Sequence, residues 1–254
     1  MLNFKTISIV SCIALLGLII CNSSWIFMVL VVVIWFVITG LGSGLIGWNY
    51  HLKSVLSNAE ISKNAVSITF DDGPNTEFTP KVLSLLNQFN AKATFFCIGK
   101  QAKNHPEILK QIIAEGHTIG NHTFSHANNF GFFSTKKVIS ELKKTNAVIE
   151  EITGLKMKLY RPAFGVTNPN IAKAVKVLGV TSVGWNVRSL DTTSRSAESV
   201  LNRITKRLKA GDIILLHDTS EKSLIVLEQL LLFLQKKNLA SVTIDALCDL
   251  QPYE

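Results

Sequence analysis

Thr69-Phe-Asp-Asp-Gly-Pro74 sets two carboxylates side by side where an apolar run, Ala65 to Phe70, meets a turn. About fifty residues on, His122-Thr-Phe-Ser-His126 spaces two imidazoles four apart, so both can face one way from a single turn of backbone. Two His and one Asp form the ligand set of a hydrolytic metal site that keeps a coordination position open for water. The neighbouring Asp is then a proton acceptor for that water. Two more strings, Arg161-Pro-Ala-Phe-Gly165 and Leu215-Leu-His-Asp218, add a guanidinium and a third imidazole. Each string alone has a plain structural reading: Asp, Gly and Pro suit tight turns, and a His pair in a polar loop can be decoration. Their arrangement along the chain decides between the two.

Short apolar runs alternate with longer amphipathic ones after residue 64. Strands are expected at Val66–Phe70, Ala93–Ile98, Thr118–Gly120, Lys158–Tyr160, Thr181–Gly184, Ile213–Leu216 and Ser241–Ile244. Helices are expected at Pro80–Phe89, Pro106–Glu115, Thr135–Thr153, Pro169–Leu178, Ala197–Leu208 and Ser223–Lys236. Thr79 and Ser134 read as start signals, and Gly116, Gly154, Gly179 and Gly211 as stops. Alternation of this kind implies parallel pairing with helical crossovers, hence an α/β fold: a distorted (β/α) barrel of about seven strands. Chemistry in such barrels gathers at the carboxyl ends of the strands. Asp71-Asp72 follow the first run, His122 the third, Arg161-Pro162 the fourth and His217-Asp218 the sixth, so one shared site is expected.

These strings resemble those of the polysaccharide deacetylases, metal-dependent carbohydrate esterases built on the NodB-homology domain, over roughly Ala65 to Leu250. The resemblance implies that Asp72, His122 and His126 hold a divalent ion, with zinc expected. It implies that Asp71 is the general base, kept ionised and oriented by Arg161. His217 would be the general acid that protonates the departing amine, held and charged by Asp191. Pro162, Phe164, Leu215 and Arg188 would lie at the substrate, with the backbone N–H near Phe164 as an oxyanion donor. The expected activity is hydrolysis of the N-acetyl group of amino sugars in a glycan or glycolipid.

One segment departs from the pattern. Where the family generally has Asp-x-x-Asp-Trp, this chain reads Arg188-Ser-Leu-Asp-Thr192. Arg188 replaces the first acid, and Thr192 replaces the Trp that helps form the acetyl pocket. Loss of that indole should loosen or reshape the pocket, and Arg188 could read an anionic group of the substrate. An amidohydrolase removing another acyl or formyl group, or an idle glycan-binding module, are the alternatives this leaves.

The start of the chain is greasy. A membrane span needs about 20 apolar residues, and Trp25 to Trp48 exceeds that with no charge inside. Thr6 to Cys21 is shorter, with Lys5 as a positive flank, and could also be a signal-peptide core. Because it runs through the short polar hinge Cys21-Asn-Ser-Ser-Trp25 into a second apolar stretch, a transmembrane helical hairpin is expected. Trp25 and Trp48 sit at the ends of the second stretch, where interfacial aromatics are enriched. A hairpin returns both ends to one face, and Lys5, Lys53 and Lys63 put positive charge there, which favours the cytoplasmic side. A single span or a cleaved first segment would leave the domain outside. The expected layout is a membrane anchor over residues 1–50, a polar linker over 51–64 and the NodB-like domain over 65–254, in a bacterial inner membrane.

The net charge of +8 collects on stretches such as Lys136 to Lys144 and Arg203 to Lys209. Solvated helix faces account for this, as does attraction to membrane lipid or an acidic glycan. No basic run interleaves with aromatics, so no nucleic-acid partner is expected. Four cysteines lack CxxC spacing, which argues against a zinc ribbon or a disulfide framework.

Overall fold

The computed structural model describes residues 3–61 and 63–254. Met1, Leu2 and Ser62, which fall in the expected anchor and linker, lie outside the described residues. Two apolar helices come first, α1 (Phe4–Ile20) and α2 (Trp25–Gly44). The α/β elements follow as β1 (Ala65–Asp71), α3 (Phe78–Gln88), β2 (Ala93–Cys97), α4 (Gly99–Asn104), α5 (Pro106–Ala114), β3 (Thr118–Asn121), α6 (Thr135–Thr153), β4 (Leu159–Tyr160) and α7 (Pro169–Leu178). Then come β5 (Thr181–Ser182), β6 (Val187–Arg188), α8 (Ala197–Thr205), β7 (Ile213–His217), α9 (Glu221–Lys236), β8 (Ala240–Ser241) and α10 (Ile244–Cys248).

The first apolar run becomes the central strand. All seven residues of β1 and all five of β2 are buried, as expected of parallel strands covered on both faces. Seven strands lie on one path in the order β5-β4-β3-β2-β1-β7-β6, every pair parallel, and β8 pairs off that path with the start of β1. The expected number of strands is met, but pairing does not close them into a barrel. β5 and β6 are the two edges, yet only residues 183–186 separate them in the chain. Five residue steps span at most roughly 17 Å, so the sheet must curl until its edges approach. Residues of the expected linker bridge that seam: Val55 bridges Val183 and Ser57 bridges Asp212.

Helices are capped much as their sequences suggest. Ser134 and Asn168 accept backbone N–H bonds at the starts of α6 and α7, and left-handed Gly154 and Gly179 end them. Thr79 is a correction. α3 begins at Phe78, and the buried Thr79 hydroxyl accepts from Asn75 N and donates to Asp218. Ser241–Ile244, expected as a strand, splits into β8 and α10.

α1 and α2 pack side by side, with Trp35 Nε1 donating to Ser8 Oγ at 3.0 Å. Their outward faces expose apolar side chains, among them Ile13, Leu16, Phe27 and Phe36. Among the described residues α2 alone is long and apolar enough to cross a membrane, with 20 residues and a mean hydropathy of 2.6. Phe4 N donates to Tyr50 O and Ser43 Oγ meets His51 Nε2, which tie the pair to the segment after it, and Thr167 N donates to Ser43 O, which ties α2 to the sheet domain.

Candidate active site

Four strands of the sheet deliver the chemical groups. β1 ends in Asp71, and the following turn carries Asp72; β3 runs into His122 and His126. β4 runs into Arg161, and β7 ends in His217. The turns after them are sharply constrained. Asp72 (φ 75°), Thr123 (67°), His126 (46°), Phe164 (59°) and Leu190 (63°) all have left-handed backbone. Elsewhere among the described residues only Asn and Asp adopt it outside glycine, the types that tolerate it best. Backbone strain borne by Thr, Phe and Leu thus gathers at one place, as strained residues do at functional sites. Gly73 lets the β1 turn press against β7, since a Cβ there would strike the Asp218 carboxylate.

Asp72 Oδ1 lies 3.5 Å from His122 Nε2 and 3.4 Å from His126 Nε2, and one ligand atom from each residue falls within 4.8 Å of the others. His122 is buried and its Nδ1 is engaged at 3.0 Å by Arg161 O, which leaves Nε2 facing Asp72. Asp72 Oδ1 is buried without a hydrogen-bond partner. Burial works to raise the Asp72 pKa, but the approach of His122 and the charges of the three surrounding imidazoles bring it down to about 2. Burial likewise opposes charge on His122, and Asp71 and Asp72 outweigh it and raise that pKa. Burial and the His122 charge lower the pKa of His126, which favours a neutral ligand ring. An ionised carboxylate with an unspent oxygen and two ring nitrogens aimed at it fits a divalent cation, which would take the place of the positive charge the site otherwise draws as protons.

Two ion pairs, each with a fully buried member, flank this set. Arg161, fully buried, donates from Nη1 to Asp71 Oδ1 at 2.8 Å and to Thr69 Oγ1 at 2.7 Å. Its Nη2 reaches Gly184 O at 2.8 Å, its Nε reaches Val183 O at 3.3 Å, and the guanidinium lies 4.1 Å from the Phe96 ring centre. On the other side His217 Nδ1 meets Asp191 Oδ1 at 2.9 Å. Asp191, also fully buried, accepts from Ser189 Oγ, His217 N and Ser223 Oγ. Burial pushes the His217 pKa down, but the Asp191 hydrogen bond and charge carry it up to about 9. His217 Nε2 lies 3.8 Å from Asp72 Oδ2, so the third imidazole faces the same centre.

The groups open on a cavity of about 280 Å³. Of the expected substrate residues, Phe164, Arg188 and Leu215 line it. Pro162 does not: it is buried at the start of the turn that carries Phe164, so its part is to shape that turn. Thr192 lines the cavity, as does Trp185, which sequence reading passed over. Trp185 packs so closely on Gly165 that a Cβ there would lie 2.7 Å from the indole. The apolar wall is therefore Trp185, Leu190, Leu215 and Phe164, an indole supplied between β5 and β6 rather than after Asp191. A lone Trp just past a strand end was the only signal for it.

A curled parallel sheet with a hydrolytic acid–base and Asp-His-His set at its strand ends defines a hydrolase of the carbohydrate esterase kind. Residues 58–183 match the family described as polysaccharide deacetylase. A peptidoglycan-N-acetylglucosamine deacetylase of Bacillus cereus is 38% identical over 158 residues, which cover 62% of this chain and 57% of that protein. Another of the same name from the same organism is 35% identical over 193 residues, 73% of this chain and 89% of its own length. The crystal structure of a peptidoglycan N-acetylglucosamine deacetylase bound to 4-naphthalen-1-yl-N-oxidanyl-benzamide superposes with a TM-score of 0.74 at 33% identity, over 79% of this chain and 95% of that one. The chain belongs to the polysaccharide deacetylase family, hydrolases of the N-acetyl amide bonds of sugars.

Proposed function

We propose that the chain is a membrane-anchored, divalent-metal-dependent deacetylase that hydrolyses the N-acetyl amide of amino sugars in a glycan or glycolipid, with zinc as the expected ion. The observation that carries this reading is the convergence of Asp72, His122 and His126 between the Asp71–Arg161 and His217–Asp191 pairs. Asp72, His122 and His126 would hold the cation, which when bound supplies Lewis acidity to the amide carbonyl and raises the acidity of the attacking water.

The rest is done by the chain itself. Asp71 takes the proton from the attacking water, oriented by the Arg161 fork. The developing oxyanion accepts a hydrogen bond from the Phe164 backbone N–H. As the C–N bond breaks, His217 gives its proton to the nitrogen, and acetate and a free amine leave. The acetyl methyl rests against Trp185, Leu190 and Leu215. The replacement of the family's Trp by Thr192 supports a second reading, in which the same chemistry removes a different acyl group. α2 supports the anchor; α1, rising about 26 Å over its 17 residues, is short for a core of roughly 30 Å and relies on its packing against α2.

The test is acetate release from an N-acetylglucosamine oligomer by the purified, metal-loaded protein, beside substrates bearing formyl and longer acyl groups. Chelation should abolish release, and Asp71→Asn or His126→Ala should each lower kcat/KM by about 10²–10⁴. Full activity in either variant would refute the assigned site. A preference for a non-acetyl substrate would select the second reading.

A further inference from the structure

We propose that a groove between β6 and α8 binds an acidic group of the substrate, a phosphate or a carboxylate, while the N-acetyl sugar occupies the catalytic cavity. The proposal rests on the deacetylase reading and narrows its substrate class to an anionic glycan.

The groove has a volume of about 520 Å³ and is lined by Arg188, Arg195, Arg203, Lys206 and Arg207, five cations and no carboxylate. Among the described residues none of the five pairs with an acid. Asn186 in the same wall touches Asp212, but both oxygens of that buried carboxylate are taken, by Asn186 Nδ2 at 2.6 Å and Lys209 N at 2.9 Å. A solvated helix face would point its charges outward and apart. Here Arg203 of α8 and Lys206 and Arg207 just past its end line one groove with Arg188 of β6 and Arg195 of the loop between, over a floor that includes the buried Ile204. Arg203 Nε donates to Arg188 O at 2.8 Å, which fixes helix and strand together.

Like charges gathered in a concave site repel one another until an anion arrives, and such a site focuses anions from solution. Arginine forks match phosphate and carboxylate oxygens two at a time. Arg188 lines both the groove and the catalytic cavity. An anion in the groove and an amide over Asp72 can therefore belong to one molecule. Arg188 stands where the family resemblance sets an Asp, whose charge would repel such a group.

The experiment compares three soluble oligomers with the metal-loaded full chain: neutral N-acetylglucosamine oligomer, the same oligomer bearing a phosphate, and the same oligomer bearing a carboxylate. kcat/KM for one acidic oligomer should exceed that for the neutral one by about tenfold or more, and the excess should shrink as salt rises to 0.15 M or about that. The arm showing the excess identifies the anion. Arg195→Gln with Arg207→Gln should erase the excess, and Arg195→Lys with Arg207→Lys should keep part of it. Calorimetry with inorganic pyrophosphate on the metal-loaded Asp71→Asn protein reads the groove without turnover, and the paired Gln substitutions should weaken that binding by about tenfold. Equal kcat/KM for all three oligomers, unmoved by the Gln pair, overturns the proposal. Pyrophosphate bound through these arginines with no acetate released from any oligomer upholds the groove and overturns the deacetylase reading.

Discussion

Burial alone would strip the proton from His217, yet Asp191 holds it there to about pH 9, and Asp191 is itself fixed by three donors besides the ring. The sign follows from the direction of the shift. A raised pKa keeps the imidazolium through neutral pH, and the general acid is lost as pH rises through the folded-state value. The stability this pair contributes runs the same way, present below the ordinary His value of about 6.5 and lost as pH climbs toward 9. Asp191→Asn keeps the shape and removes the charge. Its alkaline limb of kcat/KM should move to lower pH, with a loss on the order of 10² at neutral pH. A pH–rate profile on a soluble oligomer reads the limb directly, and a limb that stays in place would mean that Asp191 does not set the acid.

At the scale of elements, Arg161 ties the sheet to the site. It leaves β4, donates to the loop after β5 through Val183 O and Gly184 O, and ends on Thr69 and Asp71 of β1. Arg161→Ala would strand Asp71 as a buried, unpaired carboxylate and open two carbonyls, at a cost of about 3–5 kcal/mol. Urea unfolding should show a lower midpoint with an unchanged slope; an unshifted midpoint would show that the pair carries no structural weight. The sequence could reveal the ends of this network but not its middle. β1 was legible because a long apolar run stops at two acids, and α6 because its cap, period and stop agree. β6 was not, since two residues cannot display a period and its neighbours on both sides are loops. Gly99–Asn104 lacks the apolar spacing of a helix and is held by its tertiary contacts with α6. The Asp-His-His set could be read from residue types and strand ends; the pairing of Arg161 with Asp71 and of Asp191 with His217 came only through the family resemblance. Trp185 escaped because the wall it builds is completed by residues distant in sequence.

The whole molecule joins this site to the two apolar helices without slack. The stretch from Ile46 to Ser57 is packed at both ends: Tyr50 lies under Gly42, Phe4 N reaches Tyr50 O, and Val55 bridges the strand seam. Thr167, which donates to Ser43 O of α2, is three residues beyond Phe164, so α2 meets the domain beside the turn that walls the catalytic cavity. Because Phe4 N is bonded to Tyr50 O, the start of α1 and the end of α2 lie together, and on the proposed hairpin the chain would enter and leave the bilayer on one face. A membrane crossed by α2 alone would instead require α1 to part from it, breaking the Trp35–Ser8 bond. In intact cells carrying the protein with its native cysteines changed to alanine, single cysteines at Asn3 and Glu254 should therefore react with a membrane-impermeant thiol reagent from the same side. Labelling of the two from opposite sides would break the hairpin and leave α2 as the sole span. On the proposed hairpin, labelling from one side would also fix which side of the membrane the catalytic cavity faces.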